Sequence, residues 1–198
     1  PYLQKLVATT DPQKFAALLT PLEPQIRKLA FHGYTTSLWR VRSTLDMIAV
    51  ESRTAEQRER AAHASLLLKV FADPQMLGPL AERALDGLED KERVASKLVV
   101  RAGYGGAHAL YAARLKHGVF EARERFVALV QEIGAPAMPL LRAGLEMLHP
   151  KLGVVPNALE VAEDLLKAIP AVADDAFGEV IARYARSQAT SVAVLATN

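Results

Sequence analysis

The sequence predicts an all-α chain, an α-solenoid of stacked antiparallel helix pairs, on three observations. Residues 88–112 lie over residues 119–143 at a constant offset of 31, with Leu98/Leu129, Val99/Val130, Gly103/Gly134, Leu110/Leu141 and Ala112/Ala143 identical. A helical unit of that length cannot bury its own apolar face, so it must stack on copies of itself. Apolar residues make up 51% of the chain and aromatics only 6%. The apolar share is mostly Ala, Leu and Val; Ala and Leu favour helices and small side chains let paired helices approach closely, whereas a sandwich or barrel wants Thr, Ile and aromatics. Finally, helix punctuation recurs at regular intervals, and no segment alternates as a strand does.

The elements follow in order. Asp11-Pro12 sets a capping carboxylate before a proline at the first helical position, where the missing N–H costs nothing, and opens a helix over 12–20. Helices at 22–32 and 36–52 come next. Thr54-Ala-Glu-Gln57 has capping-box spacing and opens the pair 55–72/74–87, whose second member begins at Asp73-Pro74. The pair 89–102/105–116 turns at Gly103, Gly105 and Gly106. One repeat later Gly134 closes a helix and Pro136 reopens the chain, giving 119–133/136–148. Within 119–133, Val119, Ala122, Phe126, Leu129, Val130 and Ile133 share one face, largely opposite Glu121, Arg123, Glu124, Arg125 and Glu132. Glu121 and Arg125 stand one turn apart as a favourable pair. The last pair, 157–169/172–187, is opened by Asn157-Ala-Leu-Glu160, and its stripes are Ala158, Ala162, Leu165, Leu166 and Ile169, then Phe177, Val180, Ile181 and Tyr184.

Between the last two pairs, His149 to Pro156 inserts a longer loop, which such arrays tolerate. No low-complexity tract divides residues 1–198, so they read as a single domain whose clearest repeats are 55–87, 88–117, 119–148 and 157–187. The sequence begins at Pro1 without a methionine, and Ser187 to Asn198 resembles the start of another repeat. Both ends therefore read as those of an excerpt from a longer protein.

Charge and chemistry narrow the function. With 24 basic and 22 acidic residues the formal charge is +2, so no overall field calls for a polyphosphate or an anionic membrane. The chain has no cysteine, which rules out disulfides, thiolate nucleophiles and cysteine metal sites and fits a reducing compartment, the cytoplasm. No run reaches the roughly 18 apolar residues of a membrane span; the densest, Ala64 to Ala72, is broken by Lys69. Gly103-Tyr104-Gly105-Gly106 follows a helix rather than a strand and lacks the full phosphate-loop spacing, so it reads as a turn. His32, His63, His108, His117 and His149 are scattered without metal-ligand spacing. Asp174-Asp175 and Glu163-Asp164 sit beside a helix start or on its polar face, where negative charge is favourable in itself. No acid or base faces an evident nucleophile, so the expectation is a protein without catalysis, cofactor or metal. Trp39, in Leu38-Trp39-Arg40-Val41-Arg42, reads as a wide flank of the core.

The unit Val119-Phe-Glu-Ala-Arg123 leading through Ile133-Gly134-Ala-Pro136 to Met138-Pro139-Leu140-Leu141 resembles the bacterial pattern of the HEAT-repeat, armadillo-like superfamily. Residues 88–117 match with Gly105 and His108 in place of the two prolines, and 55–87 and 157–187 match more loosely. The resemblance implies a right-handed superhelix with first helices on its convex side and second helices on its concave side, used to bind another macromolecule. Tyr111 and Arg142 occupy equivalent positions on second helices, and Arg114, Glu146, Arg183 and Arg186 stand on neighbouring turns. Arg and Tyr are the types enriched at binding hot spots, so these six are the candidate partner-binding residues. The expectation is a scaffold or adaptor that binds a protein partner. One alternative is a nucleic-acid-binding array of the DNA-glycosylase type, which needs a basic concave surface. The other is an accessory subunit related to bilin lyases.

Overall fold

The computed structural model describes residues 1–87, 90, 92–155, 157–169, 177–186 and 190–197, and among these it is helical with no strand. The chain divides into two compact units, Pro1–Leu80 and Ala81–Asn198.

The first unit contains α1 (Tyr2–Ala8), α2 (Pro12–Leu19), α3 (Leu22–Phe31), α4 (Thr35–Ala49), α5 (Ala55–Leu68) with a 3-10 turn at Lys69–Ala72, and the start of α6 (Pro74–Asp86). Its starts are fixed by the residues the sequence singles out. The Asp11 carboxylate accepts from the N–H groups of Gln13 and Lys14 at 2.9 and 3.0 Å, and Asp73 accepts from Gln75 N–H at 2.8 Å. Thr54 and Gln57 form a reciprocal capping box, with Gln57 N–H on Thr54 Oγ1 at 3.2 Å and Thr54 N–H on Gln57 Oε1 at 3.1 Å. Each such cap contributes about 1 kcal/mol. The helix α1 has no counterpart in the sequence reading, because seven residues are too few to show a clear 3.6-residue period.

The core of this unit is made where α4 packs on α5, α3 and α1, and α2 packs on α5. Phe15, Ile26, Leu38, Leu45 and Ile48 are fully buried there. Arg60 is buried with them: it pairs with Glu51 at 3.2 Å, donates to the Val7 carbonyl at 3.3 Å, and lies 5.1 Å from the centre of the Phe15 ring. Trp39 is half-buried, Arg40 is exposed, and Arg42 lies over the Phe71 ring at 5.4 Å.

The second unit continues from α6 through α7 (Val94–Arg101), α8 (Tyr104–Lys116), α9 (Phe120–Ile133), α10 (Met138–Leu148), α11 (Ala158–Lys167), α12 (Gly178–Ala185) and α13 (Thr190–Thr197). The hairpin partners α7 and α8 pack together, and so do the helices across each inter-hairpin loop, α8 on α9, α10 on α11 and α12 on α13. Like helices also adjoin: α7, α9, α11 and α13 form one succession of neighbours, and α8, α10 and α12 another.

The 31-residue register is visible in the backbone. Gly103 (φ 58°, ψ −125°) and Gly134 (φ 69°, ψ −136°) turn the chain in the same way one repeat apart, in a conformation that a Cβ would obstruct. Between them Gly106 brings α8 against α7 so closely that a Cβ there would stand 1.9 Å from the Val99 carbonyl oxygen. The Gly103–Gly106 segment is thus the turn and first turn of a helix packed on its predecessor.

Three local expectations are corrected. The helix expected from residue 89 begins at Val94, because the buried Asp90 carboxylate accepts from Ala95 N–H, Ser96 N–H and Ser96 Oγ at 2.8, 2.9 and 2.6 Å and Arg93 turns left-handed at φ 54°. Asn157 is left-handed at φ 64° and makes no side-chain cap, so the capping box expected at 157–160 is absent. Arg125 reaches away from its own helix to the carbonyls of Leu85 and Asp86 at the end of α6.

Candidate partner-docking face

The second helices α8, α10 and α12 carry all six candidate residues, and the structure separates them. Arg142 and Glu146 are exposed on α10 and pair with each other at 3.1 Å across one turn. Arg183 is exposed on α12 and pairs with Glu179 at 3.5 Å; Arg186 is exposed one turn on. Exposed pairs of this kind are weak, a few tenths of a kcal/mol, so a partner can exchange them for its own charges at little cost.

Tyr111 and Arg114 are corrections: neither side chain is available to a partner. The Tyr111 ring is buried beside Gly144 of α10, where a Cβ would stand in ordinary contact with the ring at 3.8 Å and crowd Leu165 at 2.9 Å. Burial raises the Tyr111 phenol above its ordinary range. The equivalence with Arg142 holds along the chain but not in burial, for Tyr111 is 8% exposed while Arg142 lies on the surface.

Arg114 is 2% exposed and is the hub of a buried ionic cluster. Its Nε donates to Asp164 at 2.6 Å and its Nη1 to the His117 carbonyl at 2.8 Å, with Glu160 3.9 Å from Nη2. Arg123 completes the cluster from α9, reaching Asp164 at 3.0 Å, Glu163 at 3.3 Å and Glu160 at 3.5 Å. Desolvation opposes the Arg123 charge, but the three acids outweigh it and hold the guanidinium above its usual range. The acids expected on the polar face of 157–169 therefore face inward: Asp164 is 1% exposed and ties α8, α9 and α11 together. Asp174-Asp175 lie outside the described residues.

The sequence reading passed over other exposed side chains on these helices: His108, Ala112 and Leu115 on α8, Ala143 and Met147 on α10. Ala112 and Ala143, one of the identical pairs of the repeat, are both exposed, on adjoining helices. Leu115 and Met147 are apolar residues on the outside, where periodicity expects polar ones. Together they give the face small, apolar and paired charged elements, the mixture that protein interfaces use.

Among the described residues no group of acids and histidines is arranged to hold a metal ion, and no helix is long and apolar enough to cross a membrane. No model of a protein family, no curated protein and no solved structure matches this chain.

Proposed function

We propose that the chain is a non-catalytic scaffold or adaptor module, a HEAT-like stack of helical hairpins that binds a protein partner along α8, α10 and α12. The observation that carries this reading is the surface of those three adjoining helices: Arg142, Glu146, Arg183 and Arg186 exposed beside Leu115, Ala143 and Met147. The adjacency of like helices supports the stacked architecture, since each hairpin gains shelter only from its neighbours. Arg142 and Arg183 each come with an acid one turn away, which favours a protein partner over the dense phosphates of a duplex.

Affinity capture from the source lysate with the wild-type chain and an Arg142→Glu/Met147→Glu/Arg183→Glu variant tests the reading. The expected result is a protein retained by the wild type through nuclease treatment and lost by the variant. Capture of nucleic acid, with affinity falling steeply as salt rises, would assign the face to the alternative class, and retention indifferent to the variant would reject the face altogether. Small-angle scattering separately tests the stack: a radius of gyration near that of a compact chain, about 16 Å by the general size scaling, would count against it.

A further inference from the structure

Two loops of the second unit carry the same short pattern, Lys-x-Gly-Val followed by an apolar residue. One is Lys116-His117-Gly118-Val119-Phe120 between α8 and α9; the other is Lys151-Leu152-Gly153-Val154-Val155 between α10 and α11. The two lie 35 residues apart in corresponding inter-hairpin loops, the second lengthened at His149 to Pro156.

Both loops open on one edge of the unit. Arg123, in the first turn of α9, bonds Glu160 near the start of α11 and Glu163 and Asp164 at its middle, while Gln131 near the end of α9 donates to the Lys167 carbonyl at the end of α11 at 2.8 Å. The two helices therefore run side by side in the same direction, and the loops that lead into them enter at the same end of the pair. Val119, Phe120, Val154 and Val155 are between 45 and 79% exposed, and Leu115 and Met147, on the turns leading into the loops, are 53 and 54% exposed. A cleft of about 390 Å³, lined by Leu85, His117, Val119, Ala122 and Arg125 among others, opens beside the first loop.

We propose that this edge is a self-association surface, on which a second copy of the chain docks across a two-fold axis. Six apolar side chains at that exposure present on the order of 500 Å², as much as the largest apolar patch of a typical lone soluble chain. That is also the apolar share of the roughly 800 Å² each partner of a standard interface buries. The duplicated pattern suits a two-fold in particular. An axis lying in the interface between the loops sets Val119-Phe120 of one copy against Val154-Val155 of the other, twice, apolar on apolar in both places. The cleft beside Val119 gives each copy a recess for the other's Val154. The charges at the rim are mixed, Lys116 paired with Glu82 at 2.7 Å and Lys151 and Glu121 both exposed, so two like edges meet without a single-sign clash.

Sedimentation equilibrium of the full chain tests the proposal. The expected weight-average mass rises from 21.5 kDa toward twice that value as concentration climbs through the micromolar range. Phe120→Asp with Val154→Asp should weaken the dimer by about 30-fold or more, as loss of a central hot spot does, at unchanged helical circular dichroism. If that pair loses helicity, Phe120→Ala with Val154→Ala reads the same shift more gently. Arg40→Glu, exposed on α4 of the first unit, should leave the mass curve unmoved. A mass fixed at one chain overturns the proposal, as does a dimer indifferent to both loop variants. A lone chain that floats with phosphatidylcholine vesicles and ceases to do so as the Phe120→Asp/Val154→Asp variant gives the edge to lipid and overturns it equally.

Discussion

Arg114 donates from Nε to Asp164 at 2.6 Å, with the two side chains only 2% and 1% exposed. They lie 50 residues apart in the chain and join the end of α8 to the middle of α11, with Arg123 of α9 as a third member. Such a pair is a weak source of net stability, because desolvating two charges offsets most of their attraction. Its members are still not separable. Arg114→Met leaves Asp164 buried with Arg123 alone, and Asp164→Leu leaves the Arg114 guanidinium buried beside a distant Glu160. Each single change should cost about 3–5 kcal/mol in urea unfolding, whereas the double variant should be more stable than either single. Additive losses would show that the two side chains act independently.

Tyr184 gives the second unit an alkaline limit. Its ring is fully buried, its hydroxyl donates to the Leu145 carbonyl at 2.8 Å, and His149 packs against its face edge-on with centroids 5.2 Å apart. Burial, and secondarily the nearby Tyr111, raise its ionisation well above the ordinary phenol. The folded state thus holds the proton more tightly than the unfolded chain. Its contribution is whole below the unfolded value near about pH 10 and is lost as pH climbs toward the folded value. Tyr184→Phe should cost about 1 kcal/mol at neutral pH and flatten the decline of unfolding free energy above pH 10. A variant whose alkaline slope equals that of the wild type would remove Tyr184 from the cause.

Local signals were legible in the sequence and distant ones were not. Asp11, Thr54, Asp73, Gly103 and Gly134 act within a few residues of themselves, so the helices they bound were readable from composition and spacing. Arg114 and Tyr111 read as surface residues in the sequence because the groups they pack on lie on other helices: Asp164 of α11 for one, α10 at Gly144 for the other. A cation at a stripe's margin looks the same whether its partner is water or a carboxylate 50 positions on. Arg142, Glu146 and Arg183 find their charge partners a single turn away on their own helices and stay exposed. The two Lys-x-Gly-Val stretches lie 35 residues apart and so fall off the 31-residue offset that marks the hairpins.

The Asp73 cap should give the first unit its own acid dependence. Asp73 accepts from Arg27 at 2.7 Å and from Gln75 N–H at 2.8 Å. The bond to Arg27, followed by that to the backbone, holds its carboxyl below the usual range, and the partner guanidinium is raised in turn. Because the native value is depressed, the stabilisation is present above the ordinary carboxylate pKa of about 4 and is lost as pH falls through the lower native one. Both side chains are partly exposed, so the ion pair itself adds only tenths of a kcal/mol and the cap supplies most of the effect. Asp73→Ala should cost about 1 kcal/mol at pH 7 and nearly nothing at pH 2. An equal cost at both pH values would place the effect in packing rather than in the ionised cap.

Gly106 and Gly118 separate two uses of glycine in one unit. At Gly106 a methyl would stand 1.9 Å from the Val99 carbonyl oxygen and 3.3 Å from a Val99 methyl, so α8 must part from α7 to admit it. Backbone yields less readily than a side-chain tip, and Gly106→Ala should cost about 1–3 kcal/mol or more as an overpacked contact. At Gly118, in the loop between α8 and α9, a methyl would meet nothing within 4 Å, and φ is not positive. There Ala only narrows the unfolded ensemble, and Gly118→Ala should stabilise by about 0.4–1 kcal/mol. Thermal unfolding of the two variants side by side measures the contrast: opposite signs are expected. A tolerated Gly106→Ala would mean that α7 and α8 can separate without loss, and that the close approach is not what fixes this hairpin.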